Sequence, residues 1–494
     1  MLTSTDAEDR CVPRTGSIRG FLVLRRYFHL PLLIMVSEDR IRVTKKRFVA
    51  AALLFASVCL AGCGTRPINV ALATADEAYG YRLSSKRANR GLPDTEILLT
   101  FSGGGTRAAA FSFGVLEELR RTNVDVAGNN VQLLDEVGYI SGVSGGSFTA
   151  LAFGLHGAAL FNDYPTRFLY RDVQGEIVRR TLNPLNWPRL QSTGIGRSEL
   201  AADYYDEILF ENANFGDLIQ RAGPFISSTS TDISTGARFA FTQDDFDLIC
   251  SDLSQVKLSR AAATSSAVPI VLSPVTFNNY GGHCGYRLPA WAEAARSGRS
   301  DEGRLVQRSR ELTRFQDSST RPYLHLVDGG IADNLGLRAT LERFRGAHAS
   351  REYRQQLGLE RLKRTLIVVV NARSEPGTSW DRSENGPGAL ALLMQSLSVP
   401  IDRTSFEALE LLRDLLRRWR QDDESNAFPG VRLYPVVISL DEVADPALRK
   451  RLMAMPTSLS LPAADVDLLR SQAAVLLKTS PVFQRFLEDL KQQR

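Results

Sequence analysis

Apolar and polar positions alternate in two rhythms along residues 95–155. Thr95 to Phe101 is a short, nearly continuous apolar run closed by glycines, the pattern of a buried strand. Ser102 to Arg107 reads as a loop. Ala108 to Thr122 then reads as a helix, with Phe111, Val115 and Leu119 at four-residue spacing and Glu117, Glu118, Arg120 and Arg121 turned away. Val137 to Val143 is a second strand, followed by a sharp turn at Gly142–Gly146 and a helix to about Leu155. Strand, helix, strand, helix predicts parallel pairing through right-handed crossovers.

Further along, the rhythm loosens and returns. Residues 156–222 carry aromatics and Pro-flanked turns (Asn183–Pro184, Trp187–Pro188) and read as an inserted cap or lid. Its Phe, Leu and Trp residues, like the helix at 402–420, either pack a core, line an acyl pocket or touch a membrane. Strands resume at Phe225–Thr231 and Arg238–Thr242, and Leu258–Ala267 is a helix ended by Pro269. The Arg-rich stretch 296–321 reads as a surface loop. Tyr323–Val327 is a strand running into Asp328-Gly329-Gly330, Leu335–Phe344 is helical, and Thr365–Val370 is another buried strand. After a Gly/Pro/Ser linker come an amphipathic helix near Phe406–Trp419, a last strand at Val431–Leu440 and terminal helices. No internal repeat is visible.

Composition narrows the class. With 44% hydrophobic and 23% charged residues over 494 positions, the chain is an ordinary globular protein of one large α/β domain with additions, or of two or three smaller ones. A net charge of +5, with Lys and Arg scattered among acids, lacks the basic stripe of a nucleic-acid binder. No cysteine pair has CxxC or CxxH spacing, so a zinc site is not expected, and no other metal is implied.

The N-terminus reads as an address. Lys45-Lys46-Arg47, the apolar run Phe48–Leu60 and Leu60-Ala61-Gly62-Cys63 make a secretory signal too short to span a bilayer. The last four residues resemble the bacterial lipobox, which implies lipidation of Cys63. Gly64 rather than Asp after that cysteine favours the outer membrane, facing the periplasm, over the inner. Met35 begins a well-proportioned signal, so residues 1–34 read as a mis-called extension and 35–62 as the signal peptide. In such an oxidising compartment Cys250 and Cys284 either pair or stay as buried thiols.

The strongest local signal is Gly142-Val143-Ser144-Gly145-Gly146, a G-x-S-x-G between a strand and a helix. Glycines at both flanks permit a strained turn that presents the Ser144 hydroxyl at the sheet edge. A serine needs a base, and none of His156, His283, His325 and His348 falls in the late loop that a Ser–acid–His triad uses. Asp328, at a strand end with Gly329 and Gly330 beside it, is the better candidate, able to take the serine proton directly if burial raises its pKa. Capping of the following turn is the other role open to it. Gly103-Gly104-Gly105, ahead of a helix, can aim backbone N–H groups at a developing oxyanion. Dinucleotide binding is the rival reading of that loop, but the next strand ends in G-x-S-x-G instead of the acid that such a site needs.

In this order, Ser102–Arg107, Gly142–Gly146 and Asp328–Gly330 resemble the motifs of the patatin-like phospholipases. Arg260–Ala267 with Val268-Pro269 is similar to that family's Ala/Ser-rich segment before a proline. The resemblance covers about residues 94–375. It implies a three-layer α/β/α fold with a mostly parallel central sheet, Ser144 as nucleophile, Asp328 as proton acceptor, Gly103 to Gly105 as oxyanion donors and Arg107 bracing their loop. It implies no cofactor, and a phospholipid or other acyl lipid as substrate. Ser102 stands where many members have Asp, and Ala108 where many have Gly. The implied organisation is an anchor or linker at 63–93, a catalytic domain at 94–375 and a mainly helical C-terminal extension at 376–494. The implied function is release of fatty acids through an acyl-enzyme. An acyltransferase or thioesterase using the same dyad, and a non-catalytic envelope scaffold, are the alternatives.

Overall fold

The computed structural model describes residues 66–86, 92–192, 194–299, 303–349, 355, 359–375, 377–378, 380–421 and 430–492. All belong to the compact unit Leu60–Arg494. The signal peptide, Met35 and Cys63 lie outside the described residues.

The chain runs through β1 (Thr95–Phe101), α1 (Gly105–Arg121), a hairpin of β2 (Asn123–Val126) and β3 (Asn129–Gln132), β4 (Val137–Val143) and α2 (Gly145–His156). The inserted region holds α3 (Val173–Leu182) and α4 (Arg197–Tyr205) among shorter turns. Next come β5 (Phe225–Asp232), β6 (Arg238–Phe241), α5 (Leu258–Ser265), β7 (Val275–Asn278), α6 (Gly303–Phe315), β8 (Tyr323–Asp328) and α7 (Leu337–Ala349). The chain finishes with β9 (Arg364–Asn371), α8 (Ala389–Gln421), β10 (Arg432–Ser439), α9 (Ala463–Thr479) and α10 (Pro481–Lys491).

One eight-stranded sheet organises these elements in the order β10-β9-β1-β4-β5-β8-β7, with β6 also on β5. Strands from β10 to β5 run parallel, whereas β6, β8 and β7 pair antiparallel. Side-chain alternation along the strands shows the layers directly. Leu99, Ile140 and Ile226 are register neighbours on one face, where α2 comes close enough that a Cβ on Gly154 would lie 2.6 Å from Ile226. Leu98, Tyr139 and Phe225 occupy the other face, where Arg343 of α7 lies over the Tyr139 and Phe225 rings. The result is the expected α/β/α arrangement with a mostly parallel sheet.

Three sequence expectations shift. The stretch 296–321 is not a plain surface loop but contains α6, because Leu305, Leu312 and Phe315 recur at helical spacing and are buried. The helix expected near Phe406 begins seventeen residues earlier, as α8. Region 156–222 is bound to the body by an aromatic cluster in which Phe148 of α2 stacks on Phe168 and meets Tyr205 edge-on, at centroid distances of 4.6 and 4.8 Å. Leu182, Leu185 and Trp187 nevertheless remain exposed there. Cys250 and Cys284 are joined as a disulfide.

Candidate active site

Ser144 sits where β4 gives way to α2, with φ 49° and ψ −119°. A side chain rarely adopts that backbone region, so the surroundings must hold it there. Gly145 makes the turn possible by close approach, since a Cβ on it would fall 2.0 Å from the Gly105 carbonyl oxygen. Gly142 and Gly146 flank the turn with similarly close backbone neighbours at Ser147 and Phe101. The turn is also held from beneath by α5. Ser265 Oγ accepts the Ser144 N–H at 2.9 Å, donates to the Thr229 carbonyl at 2.6 Å and pairs with Ser147 Oγ at 2.8 Å.

Asp328 reaches the same edge by an unexpected route. Its strand, β8, runs antiparallel to β5 yet pairs only with Ser230, Thr231 and Asp232, the last residues of β5. The chain therefore enters from beyond the carboxyl edge and stops level with it. Gly329 then packs against the Thr229 carbonyl and Val143, one residue from Ser144. Asp328 and Gly329 also donate their N–H groups to the Ala267 and Ser265 carbonyls, at 3.0 and 3.1 Å. One short segment, Ser265–Ala267, thus fixes the backbones of both dyad candidates.

The Asp328 carboxyl is buried and pushed up to about 6 by desolvation, against smaller lowering contributions from the Gly330 N–H and the Ser144 hydroxyl. Oδ1 accepts the Gly330 N–H at 2.7 Å. Oδ2 has no partner of good hydrogen-bond geometry, although the Ser144 hydroxyl is near enough to act on the carboxylate. Ser144 and Asp328 thus stand as neighbours across the turn without a closed hydrogen bond between them.

The glycine loop is not uniform. Gly103 gives its N–H to the Asn334 carbonyl at 2.9 Å, which takes it out of the expected oxyanion set. The N–H groups of Gly104 (φ 136°) and Gly105 (φ 60°) have no acceptor among the described residues. Gly105 also opens α1, so the helix dipole favours negative charge there. Arg107 is buried and donates to the carbonyls of Ala372 and Met455, at 2.8 and 2.7 Å, and to Thr457 Oγ1. Ser102, the departure from the usual Asp, accepts the Ala372 N–H and donates to the Gly103 carbonyl, tying the loop to the end of β9.

Sequence reasoning missed Ser265, Asn334 and the segment Met455–Ser458. The run Thr264-Ser265-Ser266 inside a buried helix was a signal for the first, because buried hydroxyls need partners. Asn334 presents Oδ1 toward Gly103 and Gly330 while its Nδ2 donates to Ser405 of α8 at 3.3 Å. Nothing local marks Ser458, whose carbonyl accepts the Thr106 N–H at 2.8 Å. A shallow cleft between α7 and the sheet, lined by Leu98, Tyr139, Thr340 and Phe344, is elsewhere. Tyr139 lies roughly 16 Å down the strand from Ser144. Among the described residues no group of His, Cys, Asp and Glu is placed to hold a metal ion.

A serine on a strand-to-helix elbow, facing a buried carboxylate and a glycine loop, places this domain among α/β/α proteins with a serine–aspartate site. Residues 99–341 match the family model of the patatin-like phospholipases. Among solved structures, human GIVD cytosolic phospholipase A2 aligns with 12% identity and a TM-score of 0.39, over 83% of this chain and 64% of that one. The same protein with methyl gamma-linolenyl fluorophosphonate inhibitor and terbium chloride aligns with 14% identity and a TM-score of 0.40, over 84% and 63%. The chain thus spans less than two thirds of those structures. No curated protein matches significantly.

Proposed function

We propose that this chain is a serine acyl hydrolase that releases fatty acids from phospholipids or lysophospholipids through a Ser144–Asp328 dyad. The observation that carries the reading is Ser144 held in a strained turn beside a buried carboxylate whose pKa stands near 6. The family of residues 99–341 supports lipid hydrolysis as the reaction class. In the first half-reaction Ser144 Oγ attacks the ester carbonyl as its proton passes to Asp328 Oδ2. Charge on the carbonyl oxygen is met by the N–H groups of Gly104 and Gly105. The tetrahedral intermediate collapses, the ester C–O bond breaks and Asp328 returns the proton to the departing alkoxide. Water then repeats the sequence on the acyl-enzyme, freeing the fatty acid and Ser144.

We place the protein in a bacterial envelope, anchored through Cys63 and facing the periplasm. The Cys250–Cys284 disulfide supports an oxidising compartment. Among the described residues no helix is long and apolar enough to cross a membrane. The test of the chemistry is fatty-acid release from phospholipid vesicles by the full chain, beside Ser144→Ala and Asp328→Asn. Release by wild type alone supports the dyad, and release surviving Ser144→Ala overturns it. For the anchor, incorporation of labelled palmitate must vanish in Cys63→Ala.

A further inference from the structure

Helix α8 has two dissimilar halves. From Ser405 onward it packs on the body through Ser405, Ala408, Leu412 and Leu416, a helical spacing of buried positions. Before Pro400 no residue is buried, and Leu390, Leu392, Leu393 and Val399 are 64, 55, 48 and 44% exposed. Not one of the seventeen residues Asn385–Ile401 is charged. An exposed helical arm of this composition is costly in water and calls for a covering phase.

We propose that this arm, Ala389–Val399, is a lipid-surface probe that dips into the membrane holding the substrate. Three observations select a lipid phase over a protein groove or a second copy. At about 100° per residue, Leu390, Leu392, Leu393 and Val399 spread over about half of the helix circumference. A partner groove takes a stripe of about 100°, narrower than this face, whereas a helix lying in a lipid boundary buries a full half of its surface. The arm is also rooted at the active site: Ser405, about 8 Å along the helix from Pro400, accepts from Asn334, whose carbonyl holds the Gly103 N–H of the glycine loop. Finally, Pro400 lies inside the helix between its two halves. Lacking an N–H, it breaks one helical hydrogen bond and lets the arm tilt independently of the packed half. At eleven residues the arm is too short to span a bilayer and suits the headgroup boundary.

The inference rests on the lipid-hydrolase reading, so the test separates the two. Hydrogen exchange of the full chain carrying Ser144→Ala is followed with and without phosphatidylcholine–phosphatidylglycerol vesicles. Slower exchange in residues 389–399 on adding vesicles is the expected result, and unchanged exchange there overturns the proposal. Slowing that instead follows protein concentration without vesicles assigns the arm to a second copy and also overturns it. In the active chain, the pair Leu392→Glu and Val399→Glu should cut vesicle hydrolysis more than about tenfold, with hydrolysis of a monomeric short-chain ester unchanged. An equal fall on both substrates counts against a surface role. A chain that hydrolyses neither substrate removes the activity reading but leaves the exchange result standing.

Discussion

The Ser265 hydroxyl accepts the backbone N–H of Ser144 at 2.9 Å, so a residue with no part in the proposed chemistry fixes where the proposed nucleophile stands. Ser265→Ala leaves that buried N–H unpaired, at a cost of about 1–3 kcal/mol. It also loosens a turn that must hold an unfavourable φ. The expected outcome is a fall in kcat of roughly ten- to a hundredfold with little change in KM. Steady-state kinetics on a monomeric ester check this. A loss confined to thermal stability, with kcat intact, would assign Ser265 a purely structural part.

The proposed mechanism requires Asp328 as its anion. Because burial holds its carboxyl near 6, kcat/KM is expected to be flat above about pH 7 and to fall through a midpoint near pH 6. Each further pH unit of acidity should then remove about tenfold. A profile measured with a monomeric ester, whose own charge is constant over this range, checks the midpoint.

The same carboxyl works against stability. Its ordinary value is 3.8 and the folded value about 6, so between those limits the folded protein keeps a proton that the unfolded chain has lost. Stability therefore declines as pH rises from about 4 to about 6 and stays reduced above. At about 1.4 kcal/mol per pH unit, the full cost near neutrality is about 3 kcal/mol. Asp328→Asn should abolish activity while raising Tm at pH 7, with the gain shrinking toward pH 4. Ser144→Gly should likewise be inactive and more stable by roughly 1 kcal/mol, since glycine accepts φ 49° and ψ −119° without strain. Thermal melts at the two pH values test both variants.

Gly145 has no room for a side chain. A Cβ would lie 2.0 Å from the Gly105 carbonyl oxygen, so Gly145→Ala must push the nucleophile turn and the glycine loop apart. Loss of activity by at least about a hundredfold, with a lowered Tm, is expected. Gly303→Ala, where a Cβ meets nothing within 4 Å, should change neither. Activity and melting of the two variants, measured side by side, settle the contrast.

The parallel half of the sheet and its nucleophile turn were legible because short apolar runs, helical spacing and a G-x-S-x-G all agree between Thr95 and Leu155. Asp328 was also legible, but for an incomplete reason. A strand end followed by glycines suggested the edge of a parallel sheet, whereas β8 arrives antiparallel and gets there by a staggered register that no local pattern encodes. Helix α6 was obscured because seven Arg residues between 296 and 321 mask Leu305, Leu312 and Phe315. The division of labour within the glycine loop was hidden for another reason. Asn334 and Ser458 reach it from more than two hundred residues away, and backbone carbonyls leave no trace in sequence.

That last contact bears on when the protein becomes active. Every motif of the dyad is complete once synthesis has passed Gly330, yet Arg107 is satisfied by Met455 and Thr457, and Thr106 by Ser458. A chain still emerging from the ribosome, or clipped before residue 455, has Ser144 and Asp328 but lacks the contacts that brace the glycine loop. On the proposed reading, competence waits for residues 455–458, and copies that lack them stay silent.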